Sequence, residues 1–306
     1  MKNILIATQK PFAPDAIKKI REAVKNAGYE LQLLEKYSDK SELLDAVSAV
    51  DAMIVRSDKI DKEVLDAAKN LKIVVRAGAG YDNIDCDAAT QNKVVVMNTP
   101  GQNSNAVAEL ALGMMIFMAR GCFNGKAGTE LKGKKLGIHA YGNIGRIVAT
   151  LAKSFGMEVF AFDPFIPAGQ IEKDGVKVCS SEAELYSTCR YISLHIPATE
   201  ETKESINYDL LSKMPENGVL VNTARKEVIC EEGLLKILEE KPGFKYVSDI
   251  APSCKEEIER RFAGQYFFTP NKMGAQTAEA NINAGIAAAE QITAFFEKGD
   301  EAFKVN

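Results

Sequence analysis

The chain has 306 residues and a nearly balanced charge, with 38 Lys and Arg against 42 Asp and Glu. This slight acidic excess disfavours a protein dedicated to nucleic-acid binding, which would show a basic surplus. No run approaches the ~20 apolar residues that a membrane helix requires, so we expect no membrane partner. Only two histidines are present, and we predict no bound metal. The six scattered cysteines form no CxxC pair, which is typical of reduced thiols in a cytosolic protein.

The first part of the chain alternates short apolar runs with segments of helical period. A helix is predicted over 14–26, where Ile17, Ile20 and Val24 share one face and Gly28 follows at the C-terminal cap. Further helices are predicted near 41–49 and 61–68. Strands are predicted at 3–8, 30–34, 52–55, 72–75 and 94–97. This β-α-β rhythm is typical of a parallel sheet with crossover helices.

A second alternating series begins at Lys135, after a predicted long helix over 105–119. Ser181 and Glu184 have the spacing of a capping box and predict a helix start, and a final helix is predicted over 277–298. Strands are predicted at 135–140, 158–162, 176–179, 191–194, 218–221, 246–248 and 266–269. We therefore predict an α/β fold with two Rossmann-like parallel-sheet domains and a first domain boundary between 98 and 133.

The sharpest local signal is the segment 135–148, in which a strand enters a tight turn and a helix leaves it. Gly142 and Gly145 occupy the second and third positions of a GxGxxG dinucleotide-binding loop, where they let the pyrophosphate and the helix approach closely. The first position is Ala140, which fits if its backbone keeps a negative φ. The helix N-terminus would direct free N–H groups at the phosphates.

Asp163 ends the next predicted strand, about 20 residues beyond the loop, where an acidic side chain binds the adenosine ribose hydroxyls. Its carboxylate would repel a 2′-phosphate, so NAD is favoured over NADP. The alternative is a strand-end Asp that caps the turn before Pro164. Within one βαβ unit, the loop and Asp163 together favour a dinucleotide site.

Two cations follow predicted strands, at the sheet edge where open α/β folds bind ligands. Arg225 could hold a substrate carboxylate bidentately and polarise the neighbouring carbonyl; a surface ion pair is the alternative. Lys272 could exchange a proton if desolvation or another cation lowers its pKa, and otherwise is a solvated lysine. His139, inside a strand, is interpreted as a core histidine, whereas His195, at a strand end, either lines the cofactor or packs.

A series of different short motifs lies along most of the chain. They are VRS at 55–57, RAGAGYDNID at 76–85, VMNTP at 96–100, AE at 108–109, LKGK at 131–134, DP at 163–164, LHIP at 194–197, VNTAR at 221–225 and GAQTAE at 274–279. Together with the nucleotide loop, and in this order, they resemble the D-isomer-specific 2-hydroxyacid dehydrogenases, and within that family the short D-3-phosphoglycerate dehydrogenases.

The resemblance implies a substrate domain formed by 1–98 and 278–306, an NAD-binding domain at 99–277 inserted into it, and a homodimer that acts on a small 2-hydroxy or 2-keto acid. It implies that Arg225 binds the substrate carboxylate and carbonyl, and that Arg56, Ser57, Gly78 and Asn103 line the substrate pocket. NAD is the expected cofactor. The residues assigned to NAD by the loop and the resemblance are Ala140, Gly142, Asn143, Ile144, Gly145, Asp163, His195, Pro197, Thr223 and Asp249.

The sequence departs from the family at the acid/base. The family's catalytic His falls at Lys272 when counted back from Gly274, and at Asn271 when counted forward from Pro270. The Glu that orients this His falls at Cys254. The loss of the Glu is consistent with the loss of the His, because a lysine has no tautomers and needs no carboxylate to select one. We therefore predict Lys272 as the acid/base.

The expected reaction is NAD-dependent oxidation of D-3-phosphoglycerate to 3-phosphohydroxypyruvate, a step of serine biosynthesis. Its phosphate needs cations beyond Arg225, and Arg56, Lys59 and Arg76 are candidates. One alternative is a glyoxylate or hydroxypyruvate reductase of the same family. Another is a binding protein that senses NAD and catalyses no turnover. The absence of the family's His and Glu is consistent with this alternative.

Overall fold

The computed structural model describes residues 1–306, which form two compact units. The first unit comprises Met1–Asn103 and Gln276–Asn306, and the second comprises Ser104–Ala275. The second unit is therefore inserted into the sequence of the first, with boundaries a few residues from the expected 98 and 278. Each unit contains one parallel sheet with helices, so the predicted α/β class is confirmed.

The first unit begins with four alternating strand–helix pairs followed by a fifth strand. Its strands are β1 (Asn3–Thr8), β2 (Glu30–Glu35), β3 (Ala52–Val55), β4 (Ile73–Arg76) and β5 (Val95–Asn98). Its helices are α1 (Pro14–Asn26), α2 (Lys40–Val47), α3 (Lys62–Ala67) and α4 (Cys86–Gln91). The strands pair in parallel in the order β2-β1-β3-β4-β5. Ile20 and Val24 of α1 are buried, as the helical period requires.

The second unit contains a seven-stranded sheet in the order β12-β11-β10-β9-β6-β7-β8, again with parallel pairing. Its strands are β6 (Lys135–His139), β7 (Glu158–Phe162), β8 (Lys177–Val178), β9 (Tyr191–Leu194), β10 (Val219–Asn222), β11 (Lys245–Ser248) and β12 (Tyr266–Phe268). Its helices are α5 (Ser104–Ala119), α6 (Asn143–Ser154), α7 (Ala168–Lys173), α8 (Glu182–Thr188), α9 (Tyr208–Leu211), α10 (Glu231–Glu240) and α11 (Lys255–Arg261).

The last helix, α12 (Ala278–Lys298), belongs to the first unit. Thr277 caps its N-terminus by accepting from the Ala280 N–H, and Gly299 ends it in the left-handed conformation at φ 65°. Its buried alanines pack with α1 and with the strands of the first sheet in one apolar cluster. None of the helices combines the length and apolar character needed to cross a membrane.

Candidate active site

The predicted residues of the second unit all follow strands at the carboxyl edge of its sheet. The nucleotide loop follows β6, Asp163 follows β7 and His195 follows β9. Arg225 comes after β10, Asp249 directly after β11 and Lys272 after β12. Because parallel strands end at the same edge, the fold gathers these groups where open α/β sheets bind ligands.

The nucleotide loop differs from expectation at its first position. Ala140 lies at φ 77°, in the left-handed region, so the expected negative φ is wrong. Gly145 explains the tight turn, since a Cβ there would lie 2.5 Å from the Ala140 carbonyl oxygen. Gly142 is different: its φ is −80° and a Cβ would meet nothing within 4 Å. Gly145 therefore serves packing, and Gly142 leaves open space beside the backbone.

The N-terminus of α6 is open to an anion. Gly142 is its N-cap residue, no side chain caps it, and its first turn holds no acidic residue. Helix N-termini carry unsatisfied N–H groups and a positive dipole end. This backbone therefore fits a diphosphate, which is the part of NAD that the loop is expected to hold.

Asp163 connects the loop to the following turn. Its Oδ2 accepts from the Tyr141 N–H at 2.7 Å, and its Oδ1 accepts from the N–H groups of Phe165 and Ile166 at 2.8 and 3.2 Å. The turn-capping contacts of the alternative interpretation are thus present, together with a contact to the loop. A carboxylate has about four acceptor positions, so capacity for a ribose hydroxyl remains.

Two buried polar atoms that follow β9 and β10, at the same edge of the sheet as the nucleotide loop, have no partner in the protein. They are Nδ1 of His195 and Oγ1 of Thr223. His195 Nε2 lies 3.0 Å from Ser193 Oγ, and burial, together with His139, lowers the pKa of His195 to about 3, so the ring is neutral. Buried polar groups are almost always hydrogen-bonded, and such orphans fit a ligand that supplies the missing partner. Pro197, which follows His195 by two residues, is exposed.

His139 has a structural role. It is 3% exposed, and its ring nitrogens lie 3.2 Å from Glu182 Oε1 and 3.2 Å from the Tyr186 hydroxyl. Both ring nitrogens are engaged within the fold. The pairing with His139 also lowers the pKa of Glu182.

Arg225 is half-buried and forms no ion pair with any carboxylate. Its Nη1 donates to the Ala224 carbonyl at 3.1 Å. The buried Asn222 holds this turn, since its Nδ2 donates to the Arg225 carbonyl at 2.9 Å and its Oδ1 accepts from the Ala224 N–H at 2.9 Å. A half-buried guanidinium without a protein counter-ion suits an anionic ligand.

Lys272 lies in the loop that follows β12, and both Lys272 and Asn271 are exposed. Asp249 holds this loop from below: its Oδ1 accepts from the Met273 N–H at 2.8 Å, and its Oδ2 from the Gly274 N–H at 2.8 Å. Sequence reasoning missed these two supporting contacts of Asn222 and Asp249. For Asp249, only the strand register brings the partners together. The partners of Asn222 lie two and three residues further along the same turn, a local spacing that Asn commonly uses in turns.

At Cys254, the position where the resemblance places a Glu, the surroundings favour the protonated thiol. Burial and the neighbouring Glu231 carboxylate raise the pKa of Cys254 to about 12. Glu231 also accepts from the backbone N–H groups of Ser253 and Cys254 at 2.6 and 2.9 Å. Glu257, just beyond, pairs with Arg261 at 2.5 Å.

In the first unit, the predicted substrate residues follow β3, β4 and β5. Arg56 is engaged internally: its Nη1 donates to the carbonyls of Lys10 and Pro11 at 2.9 and 3.1 Å, and its Nη2 to Asn281 Oδ1 at 2.5 Å. Burial lowers its pKa. Ser57 is exposed and Asn103 half-buried.

Arg76 lies against Gly78. A Cβ on Gly78, at φ 148°, would sit 1.5 Å from Arg76 Nη1, so the guanidinium occupies the space that any larger residue would fill. Arg76 Nε also donates to the Arg56 carbonyl at 3.0 Å. Gly78 thus admits a cation to the carboxyl end of β4.

The model of the D-isomer specific 2-hydroxyacid dehydrogenase catalytic domain matches residues 4–306. The chain belongs to this family. It is 38% identical to a hydroxypyruvate reductase of Thermotoga maritima over 86% of this chain and 90% of that protein. It is 34% identical to a D-3-phosphoglycerate dehydrogenase of Methanocaldococcus jannaschii over 83% of this chain and 51% of that protein. The chain thus spans about half the length of that relative.

A solved structure agrees with this assignment. The chain is 48% identical to a 3-phosphoglycerate dehydrogenase of Entamoeba histolytica, described as bound to the cofactor NAD+, with a TM-score of 0.88 over 100% of this chain and 98% of that one. The identification of this dehydrogenase family from the sequence motifs is therefore confirmed.

Proposed function

We propose that this dehydrogenase uses NAD to interconvert D-3-phosphoglycerate and 3-phosphohydroxypyruvate, the reaction that opens serine biosynthesis. The observation that carries the proposal is Arg225, a half-buried guanidinium without a carboxylate partner, at the same sheet edge as a dinucleotide loop. In this proposal the second unit binds NAD and supplies Arg225 and Lys272. The open α6 N-terminus, Asp163 and the orphaned atoms of His195 and Thr223 support NAD as the cofactor.

When bound, NAD supplies hydride transfer. In the mechanism we propose, Arg225 holds the substrate carboxylate and polarises the adjacent carbonyl, because a guanidinium presents paired N–H donors. Lys272 exchanges the proton at the substrate oxygen: protonated, it donates during keto-acid reduction, and neutral, it accepts during hydroxy-acid oxidation. Oxidation should therefore improve as the pH rises.

The phosphate of the substrate requires a second cation, and we assign this role to Arg76. Its guanidinium lies against Gly78, whose backbone is expected to line the substrate pocket. Arg56 donates to the carbonyl groups of Lys10 and Pro11 and to Asn281. Lys59 is exposed and serves as a control position.

Hydroxypyruvate reduction is the second candidate, and the Thermotoga maritima relative, which aligns over 90% of its length, favours it. The two reactions differ only in the phosphate. The decisive experiment compares kcat/KM for NADH-dependent reduction of 3-phosphohydroxypyruvate and of hydroxypyruvate, in wild type, Arg76→Gln and the control Lys59→Gln.

We expect wild type to prefer the phosphorylated substrate. Arg76→Gln should raise KM for that substrate about 10- to 100-fold, the loss of a charge-assisted hydrogen bond, and leave hydroxypyruvate nearly unaffected. If wild type reduces hydroxypyruvate with an equal or higher kcat/KM, the proposal of a phosphorylated substrate is wrong. NADH binding without reduction of either keto acid, or of glyoxylate, would favour the sensor alternative.

We also propose that the chain is a homodimer in the cytosol, as the resemblance to the family implies. The cysteines support a reducing environment, since none of the six is paired in a disulfide. Light scattering at micromolar concentration would measure the mass; a monomer would contradict the dimer.

A further inference from the structure

The first turn of α6 carries an arginine directly beside the nucleotide loop. Residues 140–145 of the loop carry no cationic side chain, and Arg146 is the next residue in the chain. Its backbone N–H donates to the Gly142 carbonyl at 3.1 Å, so it belongs to the first turn of the helix. The side chain of Arg146 is half-buried. The positive charge of this turn therefore lies where the fold is expected to hold the diphosphate of NAD.

The guanidinium of Arg146 folds back over the loop. Its Nε donates to the Tyr141 carbonyl at 3.3 Å, and its Cζ lies 5.5 Å from the centre of the Tyr141 ring. The face of an aromatic ring attracts a cation at this distance. Since Tyr141 stands between Ala140 and Gly142, these contacts hold the guanidinium against the nucleotide loop.

Tyr141 is a fixed support for this guanidinium. Its side chain is fully buried, its N–H donates to Asp163 Oδ2 at 2.7 Å, and its hydroxyl donates to Asp174 Oδ2 at 3.1 Å. Burial and the Asp174 carboxylate raise the pKa of Tyr141 to about 12, although the nearby Arg146 lowers it, so the hydroxyl stays a donor near neutral pH. The backbone and the ring that contact Arg146 are therefore both anchored.

Arg146 has no counter-ion in the protein. Asp163 and Asp174 are the carboxylates that hold Tyr141, and neither forms an ion pair with Arg146. Only its Nε donates a hydrogen bond within the protein, so both terminal nitrogens keep their donors. The cation also opposes the helix dipole, because the N-terminus of a helix is its positive end. An anion bound at this end would offset that repulsion.

We infer that Arg146 binds the diphosphate of NAD through the terminal nitrogens of its guanidinium. The inference rests on the proposed cofactor site at the nucleotide loop. Each phosphate of the diphosphate is negatively charged, whereas the loop itself offers only backbone dipoles, and the Asp163 carboxylate adds a further negative charge at this sheet edge. A guanidinium presents paired N–H donors that match the oxygens of a phosphate group.

The test compares NADH binding by wild type, Arg146→Gln and Arg146→Lys, measured by fluorescence titration at about 0.05 M and about 0.5 M NaCl. Glutamine keeps a donor for the Tyr141 carbonyl and removes the charge. We expect Arg146→Gln to weaken NADH binding about tenfold at the lower salt concentration, the loss of a charge-assisted hydrogen bond, and to lose much of the salt dependence of wild type. Arg146→Lys keeps the charge and should retain the salt dependence with a smaller loss of affinity.

Lys173→Gln is the matched control. Lys173 is exposed in the last turn of α7, so this variant also removes one positive charge from the second unit, away from the nucleotide loop. Its NADH affinity and salt dependence should match those of wild type. Equal weakening by Lys173→Gln and Arg146→Gln would assign the effect to the net charge of the unit and overturn the inference.

Two results with Arg146→Gln would also contradict the inference. One is an unchanged NADH affinity with a lower melting temperature, which would make Arg146 a support of the turn alone. The other is weaker binding with the salt dependence of wild type, the pattern of a displaced loop. Gly142→Ala separates these failures from failure of the proposed site. If it weakens NADH binding and Arg146→Gln does not, only the inference fails; if neither variant changes the affinity, the proposed cofactor site is wrong.

Discussion

The nucleotide loop (140–145) and the acid/base loop (269–275) both follow strands at the carboxyl edge of the second sheet, but their N–H groups are used differently. The nucleotide loop leads into a helix whose first turn no side chain caps. In the acid/base loop, the N–H groups of Met273 and Gly274 are already bound by Asp249. One loop is open to a ligand, and the other is preformed without one. In the proposed mechanism, the loop that binds NAD therefore leaves its backbone N–H groups free, whereas the loop that carries Lys272 has two of them bound within the protein.

Among the variants that probe the nucleotide loop, substitutions of its glycines should have the largest effect. Gly145→Ala places a Cβ 2.5 Å from the Ala140 carbonyl oxygen and should destabilise the fold by about 1–3 kcal/mol, as overpacking does, while also weakening NADH binding. Gly142→Ala is the matched partner: its Cβ meets nothing within 4 Å, so the melting temperature should hold while NADH affinity falls about tenfold or more. Thermal unfolding and NADH titration of both variants measure this; a Gly142→Ala protein that binds NADH normally would contradict an open loop.

A smaller effect is expected from His195, beside the nucleotide loop. Its folded pKa is lowered to about 3, against about 6.5 in an unfolded chain. Between these values only the unfolded state binds the proton, so the contribution of His195 is complete above pH 6.5 and is lost as the pH falls toward 3. The slope is at most about 1.4 kcal/mol per pH unit.

Urea unfolding at pH 7, 6 and 5 would measure the effect of His195 against His195→Gln, with pH steps of about one unit chosen to span the window. The variant should lose less stability than wild type over this range. Identical pH dependence in the two proteins would show that the imidazole is not held neutral. Glu182, whose pKa is lowered, acts only at more acidic pH and is common to both proteins.

The smallest expected effect is on the free energy of unfolding and comes from substitutions of Ala140, in the turn of the nucleotide loop. An alanine at φ 77° is strained, and a glycine is not, so Ala140→Gly should stabilise the protein by less than about 1 kcal/mol after the entropy of the unfolded chain is counted. Ala140→Val, which is β-branched, should destabilise it. The free energy of unfolding of both variants decides this, and a destabilised Ala140→Gly would mean that the turn stores no strain.

Periodicity and turn chemistry predict most of the fold. The α1 bounds at 14–26 and the capped start of α8 at Ser181 follow from local patterns, and the structure has both. Helix α4 was missed because its six residues carry no helical period and only Asp85 marks its start. Elements with a local sequence signature can be predicted from the sequence, whereas short elements that are stabilised mainly by neighbouring elements cannot.

The features of the candidate site also fall into two groups, those that a local sequence signal predicts and those that no such signal predicts. Glycine spacing and strand-end position locate the nucleotide loop, Asp163 and Arg225, since these signals are local. The left-handed turn at Ala140 and the Asp249 contact depend on how strands pair, and residues 249 and 273 meet only through the register of β11 and β12. A sequence carries no local mark of such a contact.

The central claim is that Lys272 exchanges the proton. We would measure kcat for NADH-dependent reduction of 3-phosphohydroxypyruvate, and the NADH dissociation constant, in wild type, Lys272→Ala and Asn271→Ala. We expect kcat to fall about 10²- to 10⁴-fold in Lys272→Ala, the contribution typical of a general acid, with NADH affinity unchanged and Asn271→Ala close to wild type. An unchanged kcat in Lys272→Ala, or a loss confined to substrate affinity, would contradict it.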